Sequence, residues 1–377
     1  MTRLPQFKLP LAAEQFLRKY WQQAPLLMRA AASGLDHPDP DTLAGLALED
    51  CVESRLISGA GDGPWNVQNG PFTEQDFAAL PKQNWTLLVQ SVDHFMTEVS
   101  LLLDSFGFLP GWRLEDIMLS YAVRGGSVGP HYDRYDVFLI QARGTRRWKL
   151  GPHCDDNSPR LPHDQLRLLA DMPVTEEFVV GPGDVLYLPP GVGHWGVAEA
   201  DDCVTWSVGF RAPAPADLLA RLADAAIEGA DQSLFTDPDR APTDLPEQLT
   251  DDDMRKLRDQ ALALMDRDVM RQALASLLSE PRQPAGLDFD VDCGHIAAAS
   301  PDTVLVRHGA ARLLIDSNGD AWINGEQRPL SDQQKPLATL LARQRQYTEE
   351  QLQPLLNDES GQLMEEWIDA GFFTVIE

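Results

Sequence analysis

Between about residues 54 and 210 the chain is a succession of short β-branched and aromatic runs broken by Gly and Pro, which limits its fold more than any other feature. The runs are RLIS, WNVQNG, WTLLVQSV, IMLSYAV, YDVFLIQA, RRWKL, EFVVG, DVLYLPPG, HWGVAEA and CVTWSVGFR. Gly125, Gly126, Gly144, Gly151, Gly181, Gly183, Pro189, Pro190 and Gly191 punctuate them. No helical periodicity alternates with these strands. They therefore predict an antiparallel sandwich or barrel and exclude a doubly wound parallel sheet.

The flanking segments read differently. Residues 1–50 predict a helical lead-in, because AEQFLRKYWQQAPLLMRAA sets Phe16, Tyr20 and Trp21 near helical spacing and LDHPDPDTLAGLALEDCVES feeds a second helix from a Pro/Asp loop. After Arg211 the prolines of APAPADLLARLADAAIEG mark a boundary near residue 213, and 213–285 is helical, with LTDDDMRKLRDQALALMDRDVMRQALASLL carrying apolar positions at three and four spacing. The stretch TVLVRHGAARLLIDSNGDAWING predicts two strands joined through Ser317-Asn318-Gly319. The helices LATLLARQ, TEEQLQPLL and LMEEWIDAG and the strand FFTVIE follow, an order like that of a small winged-helix module. The expected division is 1–212, 213–285 and 286–377.

Charge narrows the partners. With 31 Lys+Arg against 58 Asp+Glu the net charge is −27, which repels phosphate backbones and anionic lipid and favours encounter with a basic peptide or protein. Residues 301–377 hold 6 Lys+Arg and 13 Asp+Glu, so the winged-helix segment has the wrong sign for a DNA groove. The opening MTRLPQFKLPLAAEQFLRKYW has no apolar core of a signal peptide, and no later run reaches a bilayer-spanning length. Cys51, Cys154, Cys203 and Cys293 are dispersed without a CxxC pair, against a zinc ribbon or disulfide framework. A soluble cytoplasmic protein is expected.

The chemistry concentrates in GGSVGPHYDRYDVFLIQARGTRRWKLG, residues 125–151, where His131 and Asp133 form an HxD pair entering a strand. Side chains two apart in a strand share a face. HxD is expected about once by chance in this composition and occurs three times, so context must separate His131/Asp133 from His37/Asp39 and His153/Asp155, which lie in polar loops. Only His131/Asp133 follow a Gly-rich turn and lead into a long apolar strand. They are matched downstream by His194 in GDVLYLPPGVGHWGV, where Pro189-Pro190-Gly191 turns the chain at a strand start. Two imidazoles and a carboxylate make a facial triad suited to Fe(II), with positions left open for a co-substrate and dioxygen. Arg146, at the start of the strand holding RRWKL, offers a planar guanidinium for a carboxylate, while Arg147 faces the other way.

These residues, GPHYDRYDVFLIQARGTRRWKLG, PGDVLYLPPGVGHWG and TWSVGFRAP, resemble the JmjC-type, cupin-like 2-oxoglutarate oxygenases, and among them the bacterial ribosomal oxygenases. The resemblance implies a mainly β catalytic domain of double-stranded β-helix form, then a helical dimerisation region and a C-terminal winged helix. It implies Fe(II) on His131, Asp133 and His194, with the distal carboxylate of 2-oxoglutarate on Arg146 and Ser120 and Ser207 as further hydrogen-bonding candidates. The implied reaction hydroxylates an arginine β-carbon on large-subunit ribosomal protein sixteen, a basic substrate. Tyr135, by stacking, and Asp136, by charge, are candidates to face its guanidinium. The alternatives are the same chemistry on a histidine, asparagine or lysine side chain or a tRNA base, and a metal-binding cupin sensor without turnover.

Overall fold

The computed structural model describes residues 4–59, 63–229, 234–243, 246–282 and 302–376. All of the runs between 54 and 210 form strands. An eight-stranded antiparallel sheet has the order β2 (Leu26–Met28), β11 (Val185–Leu188), β8 (Val137–Arg143), β13 (Cys203–Phe210), β7 (Leu114–Ala122), β6 (Trp85–Val89), β4 (Ser54–Ser58), β5 (Asn66–Asn69). A three-stranded sheet, β10 (Glu176–Val180), β9 (Arg146–His153) and β12 (Val192–Ala198), packs against its inner face. Val137, Leu139, Leu186 and Leu188 from the large sheet meet Trp148, Leu150 and Val192 from the small one.

The outer face of the large sheet is also covered, which explains why its central strands read as continuous apolar runs. Phe138, Ile140, Tyr187, Trp206 and Phe210 share a core with Phe7, Phe16 and Phe106. The covering layer comes from α1 (Ala13–Lys19), α2 (Pro40–Leu46), α3 (Glu74–Ala78), α4 (Val92–Phe95), α5 (Thr97–Ser100), the 3-10 turn Leu101–Phe106, and a small pairing of β1 (Gln6–Phe7) with β3 (Ala32–Ser33). The helical expectation for PLLMRAA is corrected here. Leu26–Met28 is a strand, because Pro25 interrupts the helix and the segment pairs with Val185–Tyr187 at the sheet edge.

Contacts divide the chain into two compact units. The second, Pro213–Glu280 with Arg312–Leu330, contains α6 (Pro215–Glu228), α7 (Asp251–Ala263), α8 (Arg267–Ser279) and the sheet of β15 (Leu313–Ile315), β16 (Ala321–Ile323) and β17 (Glu326–Arg328). Asp316 ties its parts together, pairing with Arg271 and accepting from Trp322 Nε1 at 2.9 Å. The first unit holds the two facing sheets and also β14 (Thr303–Arg307), β18 (Gln346–Thr348), β19 (Phe373–Val375), α9 (Lys335–Arg343), α10 (Glu349–Leu352) and α11 (Asp358–Asp369). This C-terminal stretch rests on the 92–106 segment. Arg345 N–H donates to Asp104 Oδ2 at 2.9 Å, and Gly309 lies so close to Asp93 that a Cβ would come within 1.5 Å of its carbonyl oxygen.

The C-terminal expectation of two strands is also corrected. The stretch forms β14, β15 and β16, with Ser317-Asn318-Gly319 joining β15 to β16 and β17 following directly, and TEEQLQPLL is one helical turn followed by a 3-10 turn. Cys51, Cys154 and Cys203 are free thiols. Cys293 and the expected boundary between 285 and 286 lie outside the described residues.

Candidate metal centre

The backbone builds the centre before any side chain does. His131 and His194 form an antiparallel bridge, with His131 N–H donating to His194 O at 3.0 Å and His194 N–H to His131 O at 2.8 Å. The two imidazoles are therefore cross-strand neighbours on one face, their centroids 4.2 Å apart. Asp133, two residues on, reaches the same point, its Oδ2 3.6 Å from His194 Nε2. One donor atom from each of His131, Asp133 and His194 falls within 4.8 Å of the others. The Pro189-Pro190-Gly191 turn holds this together. Gly191, at φ +83°, donates its N–H to Asp133 O at 2.7 Å, and a Cβ there would strike the His153 ring at 2.4 Å.

The donor chemistry suits a metal. His131 Nδ1 and His194 Nδ1 each lie 2.9 Å from a carbonyl oxygen, of Gly129 and Val192. A carbonyl only accepts, so both Nδ1 atoms carry the proton and both Nε2 lone pairs are left to coordinate. Ser127 supports this turn, accepting the Gly129 N–H at 3.0 Å and donating to Gly196 O at 2.7 Å. Burial, then the neighbouring His131, holds the His194 pKa down to about 4, so the ring is the neutral ligand form.

Arg146 opens β9 on the same interior. It pairs in register with Ala198 while Leu150 pairs with His194, and Trp148 lies between, its ring 5.9 Å from the Arg146 guanidinium and 5.8 Å from the His194 ring. Arg146 is 4 % exposed, and its Nε and Nη2 have no hydrogen-bond partner among the described residues. A guanidinium so placed calls for an anion. Arg147, facing outward, is paired with Glu177 at 2.6 Å and Glu199 at 2.5 Å.

Ser120 and Ser207 lie buried on the inner face of β7 and β13, Ser120 Oγ donating to Thr205 O at 3.4 Å. Tyr135 is 40 % exposed, and the charge of Asp133 holds its hydroxyl pKa above the usual phenol range. Asp136 is a correction. It shares strand parity with Phe138 and so points to the outer core, where it is fully buried and accepts from Tyr187 Oη at 2.6 Å, Arg113 Nη2 at 3.0 Å and Gln22 Nε2 at 3.0 Å. Its carboxylate is engaged internally and does not face a substrate.

The other HxD pairs have local explanations. Asp39 caps α2, accepting from Thr42 N–H at 2.8 Å, and Asp155 organises a loop turn through Asn157 N–H at 2.9 Å. The sequence reading missed Asp116, which lies on the inner face of β7 four residues before Ser120, 3 % exposed. Its signal was the i, i+4 strand spacing to Ser120, which sets both on one face of β7.

Residues 101–218 match the JmjC domain family and residues 256–374 the ROXA-like winged helix family. The chain is 35 % identical over 363 residues to "Ribosomal protein uL16 3-hydroxylase" of Escherichia coli, covering 94 % of this chain and 95 % of that one. It is 38 % identical to a "Probable ribosomal oxygenase" of Haemophilus influenzae, covering 73 % and 71 %. Among solved structures it resembles E. coli YcfD, described as a ribosomal oxygenase, in complex with cobalt and 2-oxoglutarate. The TM-score is 0.80 and the identity 31 %, over 98 % of this chain and 100 % of that chain. The YcfD complex with cobalt and succinic acid has a TM-score of 0.81 and 32 % identity over the same shares.

Proposed function

The chain belongs to the JmjC-type ribosomal oxygenases, and from that membership we propose that it is an Fe(II)- and 2-oxoglutarate-dependent hydroxylase of an arginine β-carbon in a large-subunit ribosomal protein. One observation carries the reading. Two imidazoles, a carboxylate and a buried guanidinium with two nitrogens unpartnered among the described residues line one interior, the set needed for a divalent metal and a dicarboxylate together.

His131, Asp133 and His194 would hold the iron, and Arg146 the distal carboxylate of 2-oxoglutarate. When bound, metal and co-substrate convert dioxygen and a C–H bond into an alcohol, with succinate and carbon dioxide released. The chain's own residues do the positioning. Gly129 O and Val192 O keep the imidazoles in one tautomer, and Trp148 forms an apolar floor between His194 and Arg146. Asp116, a buried carboxylate with Arg282 already 3.8 Å away, is a seat that accepts a guanidinium. Tyr135 feels the charge of both Asp133 and Asp116, and would bound the path of the substrate side chain.

The net charge of −27 supports a basic ribosomal protein as partner. It also supports protein docking rather than nucleic-acid binding by the winged helix. A ribosomal substrate supports a cytoplasmic site of action. Among the described residues no helix is long and apolar enough to cross a membrane. Exposed Leu219, Ile227, Met254 and Leu262 on α6 and α7 support residues 213–285 as a homodimer surface. Light scattering on the full chain and on Ile227→Lys tests this, and a dimer that survives the charge clears α6 of the role.

The function is tested by succinate release with Fe(II), 2-oxoglutarate and a uL16 peptide, and by mass spectrometry of the product. A gain of one oxygen atom on a single arginine is expected, weakening as salt is raised. Succinate without peptide oxidation overturns the substrate assignment, and no succinate under any condition points to a sensor.

A further inference from the structure

The buried carboxylate of Asp116 is incompletely served. Gln90 Nε2 donates to its Oδ2 at 2.6 Å and Ser91 Oγ at 2.7 Å, both neutral donors that solvate the charge without neutralising it. The nearby cation is Arg282, whose Nη1 is 3.8 Å from the same Oδ2, too far for a hydrogen bond. The Asp116 side chain is 4 % exposed and that of Arg282 38 %, so the acid is fixed in the interior while the base reaches it from solvent. Oδ1 lies near Gly209, where an added Cβ would stand in ordinary contact at 3.5 Å. A planar guanidinium holds a carboxylate best through two parallel N–H···O bonds, and Arg282 makes neither.

We infer that Arg282 is a specificity-determining residue, an internal guanidinium that occupies the Asp116 seat until an incoming arginine side chain displaces it. The inference rests on the hydroxylase reading for the identity of that arginine. A competitor in the same chain lowers the fraction of molecules ready to bind and raises the apparent Kd by the inverse of that fraction. Arginines that reach both carboxylate oxygens displace it. Lysines and poorly aligned arginines do not.

The test titrates Nα-acetyl-arginine amide, with Nα-acetyl-lysine amide as comparator, into the metal-free full chain by calorimetry. Wild type, Arg282→Gln and Asp116→Asn are compared. Arg282→Gln is expected to bind the arginine amide about fivefold more tightly, as loss of a half-exposed ion pair permits, and Asp116→Asn to lose binding. The lysine amide should gain less. In turnover, KM for the peptide should fall in Arg282→Gln with kcat unchanged, a split that a structural role would not produce. Equal or weaker binding by Arg282→Gln, or no binding by either protein, overturns the inference. The titration needs neither metal nor turnover, so a silent hydroxylase assay beside a fivefold gain would refute the reaction and leave the role of Arg282 standing.

Discussion

Outward-facing and inward-facing charges in the β-sandwich meet their partners on opposite terms. Outward, Asp136 accepts three hydrogen bonds and Arg147 pairs with two glutamates. Inward, Arg146 keeps two nitrogens without partners among the described residues, Asp116 holds its cation at 3.8 Å, and three metal-type donor atoms converge. Folding tends to satisfy buried polar groups, so a cluster left short on one face marks where a ligand completes the structure. Asp133 and Asp136, three residues apart, divide along this line.

Four substitutions can break or sharpen the contrast. Asp133→Ala should abolish both iron binding and succinate release, measured by metal analysis of the purified protein and by turnover, while the melting temperature of the metal-free chain stays near wild type. A large loss of metal-free stability would make the inner triad structural instead. Asp136→Ala should do the converse, costing about 3 kcal/mol of unfolding free energy in denaturant titrations, because it strands the half-buried Arg113 and the buried Tyr187 hydroxyl. The affinity of the surviving folded protein for 2-oxoglutarate should hold.

Arg146→Ala is expected to raise KM for 2-oxoglutarate roughly 10- to 100-fold, the range for losing a charged hydrogen-bonding pair, with Arg146→Lys recovering part of it. An unchanged KM would remove Arg146 from the co-substrate seat. Arg147→Ala, its neighbour on the other face, should move neither the melting temperature nor KM measurably, since its glutamates are solvent-screened. A KM effect from Arg147 equal to that from Arg146 would erase the distinction between the faces.

Much of this was legible beforehand because strand signals are local. The ten runs from 54 to 210 have turn residues at their ends and β-branched or aromatic interiors, and each became a strand. The grouping of His131, Asp133 and His194 was legible from the HxD spacing and the Pro-Pro-Gly turn, although His131 forms only an isolated bridge and Asp133 lies in the irregular stretch before β8 rather than in a strand. Leu26–Met28 was not, because three apolar residues after a proline fit either period until β11 offers an edge. Nor was the role of Asp116, whose partners Gln90, Ser91 and Arg282 come from segments far along the chain.

The sequence alone determined that the chain between 54 and 210 builds antiparallel strands and which residues alternate together along each. Tertiary structure decided which of the two alternating sets is inside. A strand has two equivalent faces until other elements cover them, and packing of the small sheet on the large one took the Arg146 side of β9 into the interior and left Arg147 with its glutamates on the other.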